Sequence, residues 1–381
     1  MKKLYLFILF FLAVQLSFSQ IIYKTINSSK LGNNRELKIQ LPRDYDQNTG
    51  KKYPVIIVLD GDYLFEPMAG NVDYYSYWDE IPESIVVGVN QVRTRNDDCL
   101  YNPNTFLPEK KGAQFFEFLG MELLPFIDNT YRTSKFVAIA GHDYTSNFIN
   151  YYLFKPDPLF HAYINLSPDL APEMSNRLVE ALSTAEAPRW FYLATGSNDV
   201  PNLKKNIRAL DQQLSQVENP DFHYRFDDFD AATHYTLIGN ALPRALEHIF
   251  LTYKPISLKE YDELVIMDDS AFDYLIEKYE VINNNFGVEK LVRINDFLAV
   301  GKALEYRERW DDLERLGNLA QKQYPHMALG DYYLARSYEA NGRPKKAMKT
   351  YQSAYGKEEV AFVTIDFMLK KADLIKQDFG Y

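Results

Sequence analysis

From about residue 35 to residue 255, short apolar runs alternate with segments of helical periodicity. The strand-like runs are Glu36–Leu41, Val55–Leu59, Ile85–Val89, Phe136–Ala140, Ala162–Leu166, Trp190–Thr195 and His223–Phe226. Several are unbroken apolar stretches, as expected of strands covered on both faces. Helical spacing falls between them, at Gln114–Thr130, Ser146–Phe154 and Leu203–Gln216, and after the last strand at Ile238–Thr252. This rhythm predicts an α/β fold with a mostly parallel sheet flanked by helices. In such sheets the loops leaving the carboxyl ends of the strands converge on one site.

After Pro255 the pattern changes to helical spacing with no strand-like run. Leu334, Ala335, Tyr338, Gly342, Ala347, Tyr351 and Ala354 follow the helix-turn-helix spacing of a tetratricopeptide (TPR) repeat. The register recurs upstream at Val300, Gly301, Leu304, Leu313 and Ala320, closed by Pro325. Small residues at Gly301/Ala335 and Ala320/Ala354 would let paired helices approach closely, with Tyr338 and Tyr351 filling the remaining space. An ordinary helical bundle is the other packing this spacing allows. A repeat groove usually takes a peptide or another protein, so the partner expected of the tail is of that kind.

The chain has 381 residues, more than one domain usually holds. It opens with Lys2 and Lys3, an apolar run from Leu4 to Leu16, and Ser17-Phe18-Ser19 before Gln20. That is the layout of a cleaved secretory signal, too short in its apolar part to span a bilayer comfortably. The expected division is therefore a signal peptide at 1–20, an α/β domain at 21–255 and a helical domain at 256–381. The protein is expected to be exported to a periplasm or the exterior, with no membrane span. A formal charge of −10 argues against a nucleic-acid partner, because phosphate contacts need clustered Lys and Arg. The single cysteine, Cys99, excludes an internal disulfide and a cysteine-based zinc site.

The stretch that carries chemistry is Phe136-Val-Ala-Ile-Ala-Gly141-His142-Asp143-Tyr144-Thr145-Ser146. An apolar strand runs through Gly-His-X into a helix, the setting of a nucleophile elbow, whose usual form is G-x-S-x-G. Gly141 stands at the expected position. The nucleophile position holds Asp143 instead of Ser, and Thr145 stands where Gly is usual. Downstream, the strand Trp190–Thr195 leads to Asp199, and the strand ending at Phe226 leads to a loop with His234. The order nucleophile, acid, base is thus kept. The acid would orient the imidazole, and the imidazole would act as base. The oxyanion donors would be the backbone N–H groups of Tyr144 and of Gly61 and Asp62 in the loop after Leu59.

These motifs, with Tyr53-Pro-Val-Ile-Ile-Val-Leu-Asp60-Gly61, Ile85-Val-Val-Gly-Val-Asn90, Arg93-Thr-Arg95-Asn-Asp, Glu122-Leu-Leu-Pro-Phe-Ile-Asp-Asn-Thr-Tyr131-Arg132-Thr and Leu166-Ser-Pro168, resemble the esterase D and enterochelin-esterase-like family of α/β hydrolases. The resemblance covers about residues 35 to 252. It implies a carboxylic-ester hydrolase sheet with a Ser, an acid and a His, and a small ester-like ligand. His234 matches the family's His, Asp199 its acid, and Asp143 falls where the family has Ser.

That exchange alters the expected function. A carboxylate is a poor nucleophile toward an ester carbonyl and would give a mixed anhydride. Loss of a triad nucleophile costs on the order of a millionfold in kcat, about 8 kcal/mol of barrier. Three readings follow: a ligand- or partner-binding pseudoenzyme, a hydrolase using Asp143, and a hydrolase using Thr145, Ser146 or a water activated by His234. Gly141-His142-Asp143 also resembles the epoxide-hydrolase elbow, but residues 168–188 leave no room for that family's cap unless residues 256–381 fold back as one. No cofactor or metal is expected. The six His have no ligand spacing, and Asp227, Asp228 and Asp230 read as a solvated acidic loop. His142 reads as packing, and Arg93 and Arg95 as either an anion clamp or surface ion pairs.

Overall fold

The computed structural model describes residues 21–266 and 269–381. The expected signal peptide lies outside the described residues. The chain separates into two compact units. One runs to Leu251 and takes back Asn285–Val288; the other comprises Thr252–Asn284 and Glu289–Tyr381.

The first unit is built on one eight-stranded sheet, in the order β1-β2-β4-β3-β5-β6-β7-β8. The strands are β1 (Ile21–Ser28), β2 (Asn33–Gln40), β3 (Tyr53–Val58), β4 (Ile85–Val89), β5 (Thr133–His142), β6 (Ala162–Leu166), β7 (Arg189–Asn198) and β8 (Phe222–Thr233). β1 and β2 form an antiparallel hairpin that pairs antiparallel with β4. The other pairings are all parallel. β3, β4 and β6 are buried at every residue, which explains their unbroken apolar sequence. β1 has no such run; it is an edge strand with polar, exposed residues, and its alternation is too weak to be read beforehand.

Helices cover the sheet at Phe65–Tyr77, Lys111–Phe118, Leu124–Thr130, Met174–Ser183, Pro201–Leu214 and Leu237–Ile249. Lys111–Phe118 and Leu124–Thr130 are joined by one wide turn, Leu119–Leu123, into the long helix expected there. The apolar side of Pro201–Leu214 shows the usual spacing: Leu203, Ile207, Leu210 and Leu214 are buried. The interval after Pro168 holds one helix, Met174–Ser183, and no cap.

The second unit is helical, with Leu258–Ile266, Ala271–Phe286, Ile294–Tyr306, Trp310–Gln323, Leu329–Ala340, Pro344–Gln352 and Ile365–Phe379. A side chain at Gly301 would lie 2.5 Å from the Tyr333 ring, so this position sets how closely two helices meet. Tyr333 fills that contact and donates to the Phe297 carbonyl at 2.9 Å. Buried Asp331 is met by Gln321, Ser353 and Lys357. No helix among the described residues is long and apolar enough to cross a membrane.

Candidate functional site

Six strand ends deliver the site. In the spatial order of the sheet they carry Arg95 after β4, Asp60 after β3, Asp143 after β5, Ser167 after β6, Asp199 after β7 and His234 after β8. Parallel register then decides which side chains meet. The last pair of β7 and β8 is Asn198 with Thr233, so the next residues on each strand, Asp199 and His234, emerge side by side. A register shift between Gly196 and Asn198 is needed for this. Gly196 permits it, because a Cβ there would lie 2.3 Å from the Ala232 carbonyl oxygen.

Asp199 Oδ1 lies 2.9 Å from His234 Nδ1. Asp199 also accepts from Ser167 Oγ at 2.6 Å, Thr195 Oγ1 at 2.8 Å and the Val200 N–H at 2.8 Å. Burial favours its neutral form, but the hydrogen bonds from His234, Ser167, Thr195 and Val200 outweigh burial. They hold the carboxyl well below its ordinary value, so the acid beside the imidazole is ionised.

Asp143 caps β5 with φ 60° and ψ −118°, a conformation that L residues rarely adopt. Its N–H donates to the Leu166 carbonyl at 3.0 Å, and its carbonyl accepts from the Asn147 N–H at 3.1 Å. The turn is tight because Gly141 has no side chain; a Cβ would lie 2.6 Å from the Thr145 backbone. The geometry is that of an elbow, and the side chain is partly exposed.

The Asp143 carboxylate is bound by Arg95. Arg95 Nη1 lies 3.2 Å from Asp143 Oδ2, and Nη2 donates to the His142 carbonyl at 2.8 Å. Nε and Nη2 grip buried Asp60 at 2.6 and 3.2 Å. Among the described residues, no hydrogen bond joins Asp143 to His234. Arg95 is itself positioned by a buried pair. Arg35 holds Asp98 at 2.6 and 2.9 Å, with Gln91 and Thr94 also donating to Asp98. This fixes the short helix Arg95–Asp98. Arg95 thus bridges buried Asp60 to the elbow carboxylate, whereas Arg93 is exposed.

Thr145, standing where the motif has Gly, is fully buried. Its hydroxyl accepts from the His142 N–H at 2.9 Å and donates to Asp60 Oδ2 at 2.6 Å. Ser146 Oγ is buried and donates to Asn165 at 3.0 Å. Neither hydroxyl is presented to a substrate, which corrects the reading that one of them replaces the missing serine. Burial raises the Asp60 carboxyl above its ordinary value, opposed by Arg95, Thr145 and Tyr63.

His142 packs inward and also touches the base. Its ring centre is 4.4 Å from that of His234, and Nε2 lies 3.0 Å from the His234 carbonyl oxygen. The Tyr63 hydroxyl is 3.0 Å from His142 Nδ1. Burial first, and then the neighbouring His234, push His142 down to about 3, so it is neutral at ordinary pH.

The oxyanion donors need one correction. The Gly61 N–H donates to the Val89 carbonyl at 2.8 Å and is not free for an oxyanion. Among the described residues, no hydrogen bond occupies the N–H of Asp62 or Tyr144. The acidic trio is spent locally. Asp227 pairs with Arg225 and Tyr192, Asp228 with Arg208, and Asp230 with the Ala231 N–H. Sequence reasoning missed Ser167, Asp60 and Asp169. Asp169 donates its N–H to the Asp143 carbonyl at 3.3 Å. Its carboxyl is raised by burial first and then by the Asp143 charge. The available signal for Ser167 was its place at a strand end, before Pro168.

Comparison with known proteins agrees with the sheet. Residues 28–191 match the family described as "Putative esterase". An uncharacterised protein from Capnocytophaga ochracea DSM 7271 is 27% identical, with a TM-score of 0.85, over 94% of this chain and 100% of that one. An IroE-like serine hydrolase from Shewanella oneidensis is 21% identical (TM-score 0.60, 79% of this chain and 99% of that one). The siderophore hydrolase EstB from Aspergillus nidulans is 18% identical (TM-score 0.52, 62% and 96%). No curated protein matches the chain. The chain has an esterase-like α/β-hydrolase fold followed by an all-helical region.

Proposed function

We propose that this chain is an exported, esterase-like α/β-hydrolase-fold protein that has lost ordinary serine-esterase chemistry. Its elbow site binds a small ester-like ligand or a partner instead of turning over an ester. One observation carries the reading: the carboxylate in the nucleophile position is tied to Arg95, 3.2 Å away, and not to the imidazole base. An ion-paired carboxylate is a weaker nucleophile still than a free one. The surrounding surface suits binding. Tyr63, Tyr144 and Tyr235 expose aromatic rings beside His142, Arg95 and His234, and Tyr235 is 75% exposed. The helical region, read as tetratricopeptide-like, would take a peptide or protein partner. Export rests on the first twenty residues of the sequence.

One observation favours an alternative. Asp199 and His234 remain paired at 2.9 Å, so the imidazole is equipped to activate a water for direct hydrolysis. The same assay separates the two readings. The purified protein and its His234→Ala variant are incubated with aryl esters, epoxides and haloalkanes. The binding reading expects no turnover above background for either protein. Turnover by the native protein that disappears in His234→Ala would overturn it and support the alternative.

A further inference from the structure

Ser167 stands between Asp143 and Asp199 in the order of strand ends, and its backbone is strained. It follows β6 directly, its N–H donates to the Ala194 carbonyl at 2.9 Å, and it is fully buried. Its φ is 43°, in the left-handed region where glycine serves without penalty. A residue with a side chain is disfavoured there. The side chain must therefore contribute something that glycine cannot.

Its contacts show what that is. Ser167 Oγ lies 2.6 Å from Asp199 Oδ2 and 3.0 Å from His234 Nδ1. An ionised carboxylate only accepts, so the single hydroxyl proton goes to Asp199. The hydroxyl then offers Nδ1 nothing but lone pairs. The other neighbour of Nδ1 is Asp199 Oδ1 at 2.9 Å, also an acceptor. Both groups facing Nδ1 accept, so Nδ1 must carry a proton in the neutral ring, and the free lone pair is left on Nε2.

We infer that Ser167 is a positioning residue that, together with Asp199, locks the His234 proton on Nδ1 and keeps Nε2 bare. Ser167 cannot be a replacement nucleophile: it is buried and stands on the Nδ1 side of the ring. Thr195 is the internal contrast. Its hydroxyl bonds the same Asp199 oxygen at 2.8 Å, yet no hydrogen bond joins it to Nδ1. The inference rests on the geometry around Nδ1 and holds whether the site binds a ligand or activates a water.

The test is long-range 1H–15N spectroscopy of the labelled full chain, with His234 assigned from its loss in His234→Gln. In the native protein, His234 in its neutral form should show a proton on Nδ1 and none on Nε2. Loss of one hydrogen bond worth about 1–1.5 kcal/mol should speed exchange of the Nδ1 proton with water by about tenfold in Ser167→Ala. Thr195→Val should leave that exchange within about twofold of native. A native His234 protonated on Nε2 overturns the inference without any variant, and Ser167→Gly, which suits the left-handed backbone and removes the same hydroxyl, takes the place of Ser167→Ala if that variant fails to fold. Exchange unchanged in Ser167→Ala, or accelerated as much by Thr195→Val, would also overturn it.

Discussion

The Arg95 guanidinium spends its donors on Asp60, Asp143 and the His142 carbonyl. Asp60 is buried, and without Arg95 its charge would be met only by the Thr145 and Tyr63 hydroxyls. Breaking a buried pair by removing one partner is strongly destabilising, whereas an exposed pair contributes little. Arg95→Met should therefore cost about 3 kcal/mol in urea unfolding. A surface arginine such as Arg93, treated likewise, should cost within about 0.5 kcal/mol. The positions of Asp143, Asp199 and His234 could be read from strand ends and chain order. What Asp143 is bound to could not, because Arg95 reaches it from β4, which is not a neighbour of β5 in the sheet. Nothing in the spacing of Arg93 and Arg95 says which of the two turns inward. Sequence offers the Gly61 and Asp62 N–H groups equally as donors, and only tertiary structure assigns Gly61 to Val89.

At the scale of the element, the elbow is a strained turn between β5 and the helix Tyr144–Ile149. Asp143 occupies its left-handed corner, so the backbone prefers glycine over any residue with a Cβ. Both Asp143→Gly and Asp143→Ala lose the Arg95 pair, so their difference isolates the strain. Asp143→Gly should be more stable than Asp143→Ala by about 1–2 kcal/mol in urea unfolding. At an ordinary helix interior the order would be reversed. The core strands were legible because burial on both faces makes them continuously apolar, as in β3 and β4. β1 was not, because an edge strand keeps charged and polar residues such as Lys24 and Asn27. The helix Phe65–Tyr77 was also missed; its C-terminal part carries exposed Tyr74 and Tyr77, which blur any apolar stripe.

On the scale of the whole molecule, acid should weaken the α/β unit through its histidines. His142 is pushed down to about 3, by burial first, and His161 to about 4, again by burial first. Both start from 6.5. A depressed histidine is neutral in the fold and takes up a proton on unfolding. Its stabilisation is complete above about pH 6.5 and is lost as pH falls toward 4 and then 3. Each group contributes a slope of at most about 1.4 kcal/mol per pH unit in that window. Urea unfolding between pH 7.5 and 4.5 should show stability falling with pH, and His142→Gln should flatten part of the slope. Asp199 acts at lower pH: its carboxyl is held below its ordinary value, so its contribution begins to fade as pH falls through that ordinary value, where the unfolded chain takes up the proton, and is gone once the folded carboxyl is protonated.

On the proposed reading, a hydrolase scaffold has kept its acid and base and exchanged its nucleophile for an Arg-paired carboxylate. Asp143→Ser tests this most directly, assayed on an aryl ester beside the native protein and the double variant Asp143→Ser/His234→Ala. The account predicts no turnover by the native protein, turnover by Asp143→Ser, and its loss in the double variant. Hydrolysis by the native protein, or a folded Asp143→Ser that remains inert, would contradict it.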